Sequence, residues 1–281
     1  MELLQSLILG FVQGITEFLP ISSSGHLVIF SALYKFFTHQ EMAAATSEEV
    51  FLDIILHLGT LIAVLFYFRK DVLNILKGLF NSCKTKDFGL KESKLGLFLI
   101  LGTFFTLLVA YPLKDVSEKL VSNPMIVCAL LLITGSVIFL SEVIGAKIQK
   151  RDELTWKQTI MIGIAQGVAA FPGISRSGMT ISTGLFCGLT RIESARFSFL
   201  LSILIIAGTS IFYPILEIDF SVLKGFNWIS IFGGFVVAMI SGYLCIKYFM
   251  RFLNKYSMKI FAYYCFLVGI LGFTFFFFVK P

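Results

Sequence analysis

Glu17 and Arg176 are charged residues set in strongly apolar sequence, and each sits in a run of residues suited to holding phosphate. At membrane depth an ionisable group costs at least about 2.5 kcal/mol on the most lenient insertion scale, so each is a functional candidate by default. The competing reading is a structural ion pair that pins two parts of the chain together. The first run is Gln13-Gly14-Ile15-Thr16-Glu17-Phe18-Leu19-Pro20-Ile21-Ser22-Ser23-Ser24-Gly25-His26. The second is Gln166-Gly167-Val168-Ala169-Ala170-Phe171-Pro172-Gly173-Ile174-Ser175-Arg176-Ser177-Gly178-Met179, with Thr180 following. One serine before a helix is usually only an N-cap. Two such helix starts facing each other would present free N–H groups and positive helix ends to an anion. Gly25 and Gly178 would let the backbone come close, and Arg176 offers a fork matched to phosphate oxygens. Ser22, Ser23, Ser24 and Gly25, with Ser175, Arg176, Ser177, Gly178 and Thr180, thus describe a cradle for a di- or polyanionic headgroup.

Gln13 and Glu17 are four apart and share a helix face that can look into such a cradle. A carboxylate beside phosphate has two useful tasks, holding a divalent cation or acting as general base. His26, beside three serines and a glycine, is placed to donate a proton to a leaving group or to attack phosphorus. His39 and His57 have no such neighbours and read as structural. At an offset of 153 residues Gln-Gly, Ile-Ser, Ser and Gly coincide between the runs, but Glu17 and His26 are matched by Ala170 and Met179, and Ser23 by Arg176. One run handles protons and the other stabilises charge. Transport alone does not need that division; catalysis benefits from it.

The elements that must position these residues are membrane helices. Of 281 residues 57% are hydrophobic and 14% charged, against about 25% charged in a soluble domain. Six apolar runs, near 51–68, 95–112, 124–144, 194–216, 227–249 and 260–279, approach the ~20 residues needed to span a bilayer. Residues 2–37 and 157–190 are apolar but interrupted by Pro, Gly and hydroxyls, and each reads as two short helices around a break. Met1–Gln5 carries no basic n-region, so a cleavable leader is not expected. The five cysteines lack metal or redox spacing and read as packing residues.

Loops 69–94, 145–157, 190–196 and 250–259 carry sixteen Lys/Arg, against four in the opposing segments 38–50, 113–123, 217–226 and 280–281. By the positive-inside rule the basic segments face the cytoplasm, and the net charge of +6 reflects topology, not nucleic-acid binding. The expected fold is all-α, a single membrane domain over 1–281 made of repeat one (about 1–145) and an inverted repeat two (about 155–281). Six full spans are joined by two re-entrant broken-helix hairpins that meet near the midplane.

The run from Gln13 to His26 resembles the first motif of the bacterial undecaprenyl-pyrophosphate phosphatases of the bacitracin-resistance type. Pro172 to Gly178, with Thr180, resembles the second, and the similarity extends over essentially the whole chain. The resemblance implies hydrolysis of undecaprenyl pyrophosphate to undecaprenyl phosphate, which recycles the lipid carrier for cell-wall polymers. It also implies a bacterial cytoplasmic membrane, a site opening to the periplasmic or outer side, and dependence on magnesium or calcium. Carried over by residue, Glu17 is the essential acid and metal ligand, His26 the motif histidine, Ser23 the candidate nucleophile and Arg176 the phosphate-binding arginine. Many relatives have Glu where this chain has Gln13, so Glu17 would bear the metal charge alone. The nucleophile stays open between Ser23, His26 and water, and self-association is left open. A lipid-phosphate or anion transporter is the alternative. No Arg-Pro pair occurs, which disfavours the lipid phosphatases with a Lys-x6-Arg-Pro motif.

Overall fold

The computed structural model describes residues 3–37, 47–121, 123–149, 153–217 and 225–279. His39 and most of segments 38–50 and 217–226 lie outside the described residues. Eleven α-helices build the described fold: α1 (Leu3–Phe18), α2 (Ser23–Phe37), α3 (Ser47–Tyr67), α4 (Arg69–Thr85), α5 (Lys91–Val121), α6 (Pro124–Gly145), α7 (Trp156–Val168), α8 (Arg176–Phe186), α9 (Arg191–Glu217), α10 (Trp228–Leu253) and α11 (Lys259–Val279). Six of them, α3, α5, α6, α9, α10 and α11, are long and apolar enough to cross a membrane, and one expected span falls in each. The chain is a multi-pass membrane protein. The pairs α1–α2 and α7–α8 are short helices flanking a break, as the interrupted stretches suggest.

The basic stretch 69–94 departs from its expectation as a loop, since residues 69–85 form α4. Its charges hide a helical period: Ile75, Gly78 and Ser82 recur at three- and four-residue spacing and are buried. The Ser82 hydroxyl meets that of Ser93 on α5 at 2.6 Å. Only the bend at Phe68 separates α4 from α3. The second short helix of the first hairpin, α2, begins at Ser23, within the serine run.

α1 lies along α10, α7 along α5, and α6 along α11. Helices in lipid gain nothing from hiding apolar surface from one another, so they associate by close packing at small residues. A Cβ on Gly14 of α1 would come 2.7 Å from the Ala238 carbonyl oxygen of α10. A Cβ on Gly167 of α7 would come 2.8 Å from the Thr106 carbonyl oxygen of α5. Both short helices are thereby held hard against a long one. Phe18, at the end of α1, packs edge-on to Phe199 of α9 with ring centres 5.4 Å apart, in the largest core cluster. Large apolar side chains such as Phe104, Leu108, Phe232, Leu271 and Phe278 are exposed, as a lipid-facing surface requires.

Polar ties fix the helix ends. Glu142 at the end of α6 accepts from Arg191 Nε at 2.8 Å and from the Met258 amide at 2.9 Å, joining the starts of α9 and α11. The carboxylate is buried but the arginine is partly exposed, so water screens the pair and moderates the cost of breaking it.

Candidate active site

Both breaks are built from the same local bonds. After Phe18, Pro20 cannot continue a helix, the Ile21 amide turns back to the Leu19 carbonyl at 2.8 Å, and Ser22 takes a left-handed φ of 69°. Ser22 Oγ then accepts from the Gly25 amide at 3.2 Å and opens α2. In the second break Pro172 is followed by Gly173 at φ 95°, and Ser175 Oγ accepts from the Gly178 amide at 3.0 Å to open α8. The Ser22 and Ser24 hydroxyls lie 3.4 Å apart and those of Ser175 and Ser177 3.2 Å apart. Residues related by 153 positions thus repeat the same cap. The two breaks also touch each other: Ser177 Oγ donates to the Leu19 carbonyl at 2.9 Å. A Cβ on Gly25 would come within 3.0 Å of the Gly173 Cα. Thr134 of α6 clamps the second break, accepting from the Ser175 amide at 3.0 Å and donating to the Gly173 carbonyl at 2.9 Å.

Glu17 is the centre of what the contact creates. It is 6% exposed, and its carboxylate meets four residues, one each from α1, α2, α3 and α8. Arg176 Nη2 donates to Oε1. Ser23 Oγ donates to Oε2 at 2.8 Å, and Gln13 Nε2 donates to the same oxygen at 3.1 Å. His57 Nε2, from α3, lies 3.8 Å from Oε2. Ser23 and Arg176 remain half-buried and Ser24 is exposed, so the open side of the cluster presents two hydroxyls and a guanidinium. A hydroxyl bonded to a carboxylate, with a cationic fork beside it, is a nucleophile–base pair next to an anion binder.

Several expected residues are placed otherwise. His26 is buried with both ring nitrogens engaged: Nδ1 is 2.8 Å from the Ser22 carbonyl oxygen and Nε2 is 2.8 Å from Tyr264 Oη. Its ring lies nearly parallel to that of Tyr264, with centres 5.5 Å apart. The carbonyl can only accept, so Nδ1 carries a proton and neutral Nε2 accepts from the tyrosine hydroxyl. His26 here fixes the break instead of presenting a free nitrogen. Thr180 is fully buried and bonds the Arg176 carbonyl at 2.8 Å and Ser198 Oγ at 2.6 Å, which ties α8 to α9. Ser22, Ser175 and Ser177 are buried and their hydroxyls shape the two turns. The cradle's inner wall is therefore self-bonded, and its open face is Ser23, Ser24 and Arg176, with Gly25 buried behind them.

Two residues escaped the sequence reading. His57 was set aside as structural, yet it faces Glu17 and is oriented by Asp53, whose carbonyl oxygen lies 2.8 Å from Nδ1 and whose carboxylate lies 3.6 Å from it. A carboxylate four residues before a histidine in an apolar helix is the signal that was available. Tyr264 carried none, being one of nine tyrosines and 238 residues from His26.

A divalent cation has a partial donor set here. The Gln13 side chain is fully buried and its Oε1 has no partner, an acceptor left bare beside the Glu17 carboxylate. Among the described residues no three His, Cys, Asp or Glu side chains converge as a cage. These groups fit a hard cation that takes one carboxylate and one amide oxygen and completes its shell with phosphate and water.

Residues 6–271 match the family described as "Bacitracin resistance protein BacA". Curated relatives align over nearly the full length. An undecaprenyl-diphosphatase of Methanosphaera stadtmanae is 38% identical over 285 residues, covering 96% of this chain and 97% of that protein. One of Halothermothrix orenii is 37% identical over 272 residues, with the same coverages of 96% and 97%. An undecaprenyl-diphosphatase 1 of Pseudoalteromonas translucida is 34% identical over 271 residues, again covering 96% and 97%.

Proposed function

The chain belongs to the bacitracin resistance protein BacA family, and we propose that the Glu17 cluster is where it works as an undecaprenyl-diphosphatase. The enzyme hydrolyses undecaprenyl pyrophosphate to undecaprenyl phosphate and phosphate, a hydrolase activity of the membrane that serves cell-wall synthesis and bacitracin resistance. The observation that carries the site is the chain of contacts from Ser23 Oγ through the Glu17 carboxylate to Arg176.

In this reading the pyrophosphate meets the cluster at its open face. Arg176 leaves Glu17 in part to grip the terminal phosphate, and the Gly25 end of α2 supplies a positive helix start. Glu17 takes the Ser23 hydroxyl proton as Oγ bonds to the terminal phosphorus and the anhydride P–O bond breaks. Glu17 passes that proton to the departing undecaprenyl phosphate. As a carboxylate again it takes a proton from the water that attacks the Ser23 phosphate, and returns it to Ser23 Oγ as phosphate leaves. Spread of charge over the equatorial oxygens is most of what phosphoryl transfer asks of a protein, and Arg176 is placed for it. Glu17 and Gln13 Oε1 would hold magnesium, or calcium in its place, and the ion neutralises pyrophosphate charge when bound. His26, with Tyr264, holds the first break in register for this step.

The lipid tail has a neighbouring course. A groove of about 650 Å³, almost wholly apolar, is lined by Phe11, Ile15 and Leu19 of the first hairpin with Leu244, Cys245 and Phe249 of α10. Leu19 belongs to the break itself, so a chain in this groove starts beside the headgroup site.

The partition of Lys/Arg supports a cytoplasmic membrane with the basic segments inside and the site opening outward. The repeated caps, and the matched pairing of α1 with α10 and α7 with α5, support a duplicated, inverted build with two re-entrant hairpins. A transporter is not favoured, because it has no use for a serine bonded to the buried carboxylate.

The test is phosphate release from undecaprenyl pyrophosphate by purified protein in detergent. Wild type is compared with Glu17→Gln and Arg176→Gln, with magnesium and with EDTA. Release that survives both substitutions in folded protein would move the site elsewhere.

A further inference from the structure

α4 divides its surface among three kinds of neighbour. One face, with Ile75, Gly78 and Ser82, is buried in the protein. Beside it Leu73, Leu76 and Phe80 are 53%, 58% and 61% exposed. On the remaining flank Lys70, Lys77 and Lys84 recur every seven residues, with Asn74 and Asn81 between them. Seven residues are close to two helical turns, so the lysines form one row along the helix.

The row has little internal compensation. Asp71 is the helix's one acidic residue, and Arg196 of α9 bonds it through Nε at 3.1 Å. Lys84 Nζ sits 4.5 Å from the centre of the Phe80 ring, its stem lying over the apolar flank. An acidic protein segment or a nucleic acid would match the lysines but leave Leu73, Leu76 and Phe80 bare. A phospholipid leaflet meets both, with phosphate at the row and acyl chains at the apolar flank.

We propose that α4 is a docking surface for anionic phospholipid headgroups, with Lys70, Lys77 and Lys84 on the phosphates and Leu73, Leu76 and Phe80 among the acyl chains. The surface is separate from the Glu17 cluster, so it concerns the lipid around the protein and not the substrate.

Full-length protein in detergent is titrated with phosphatidylglycerol, phosphatidylcholine or a polyprenyl monophosphate, and bound lipid is counted by native mass spectrometry. Each lysine near an anionic surface contributes about a fivefold gain in binding. The expected result is that Lys70→Gln/Lys77→Gln/Lys84→Gln weakens phosphatidylglycerol binding on the order of tenfold to a hundredfold. Phosphatidylcholine binding stays unchanged, as does phosphate release in detergent, and polyprenyl phosphate keeps its place at the Glu17 cluster. A control triple at other exposed lysines, Lys147→Gln/Lys157→Gln/Lys255→Gln, leaves phosphatidylglycerol binding intact. Equal losses in the two triples, or no loss in the first, would overturn the proposal. Wild-type binding that does not weaken with added salt would overturn it as well, and this arm needs no variant to fold.

Discussion

Glu17 of the first hairpin and Arg176 of the second are bonded to each other across 159 residues of chain, the carboxylate buried and the guanidinium partly open. Each removes the desolvation problem of the other while no substrate is present. In the proposed mechanism each also has a task that requires the other to let go.

That double use predicts strong non-additivity. Glu17→Gln and Arg176→Gln each lower kcat about 10²- to 10³-fold. The double variant falls little further, because residues acting as one unit lose their effect together. Steady-state phosphate release from the four proteins checks this; additive losses would mean the pair is not a unit.

The two exposed-side serines separate cleanly. Ser23→Ala drops kcat about 10³-fold, because Ser23 is bonded to the Glu17 carboxylate. Ser24→Ala changes it less than about tenfold, since the Ser24 hydroxyl lies against that of Ser22 and not against the carboxylate. Acid quench during turnover, followed by peptide mass spectrometry, finds phosphate on Ser23. A Ser23→Ala enzyme with near wild-type kcat would give the attack to water.

Tyr264→Phe keeps the stacked ring and deletes the hydroxyl held by His26 Nε2. Leaving the buried His26 Nε2 without its partner costs about 1–3 kcal/mol, seen as a lower Tm. The rate falls several-fold with KM unchanged, and His26→Ala reproduces both effects more severely. A His26→Ala enzyme that keeps its Tm and loses all turnover would return His26 to the chemistry itself.

Gln13→Glu places a second carboxylate where Oε1 now has no partner. Magnesium needed for half-maximal rate falls by about tenfold, in line with the affinity gained from added ligand charge. EDTA abolishes phosphate release in both proteins. The check is a magnesium titration after chelation, and an unchanged midpoint would remove Gln13 from the cation's surroundings.

Much of this was legible before any coordinates. The six spans are written in apolar length, and the two breaks in Pro20, Pro172 and the glycine–serine runs around them. Glu17 and Arg176 stood out because charge in apolar sequence has few explanations. The helix at 69–85 was not legible, since seven Lys/Arg in 69–94 outweighed a period carried by Ile75, Gly78 and Ser82. The orientation of the serines and of Thr180 was not legible either. Whether a hydroxyl faces a ligand or closes its own turn depends on one rotamer. His57 and Tyr264 depend on which helices pack around the breaks, and a span's hydrophobicity does not encode its neighbours.

The pairing of α1 with α10 carries a consequence for how the protein is made. Gly10 and Gly14 leave a bare backbone strip on α1, and the strip is covered by Gly234 and Ala238, more than two hundred residues later. Glu17 likewise meets its arginine only once residue 176 has been made. The first hairpin therefore waits with an unmatched charge until α8 has been made, and half-packed until α10 has followed. Assembly of the site is a late event in the life of the nascent chain, and a chain truncated before α10 holds every motif residue without the helix that lets α1 settle.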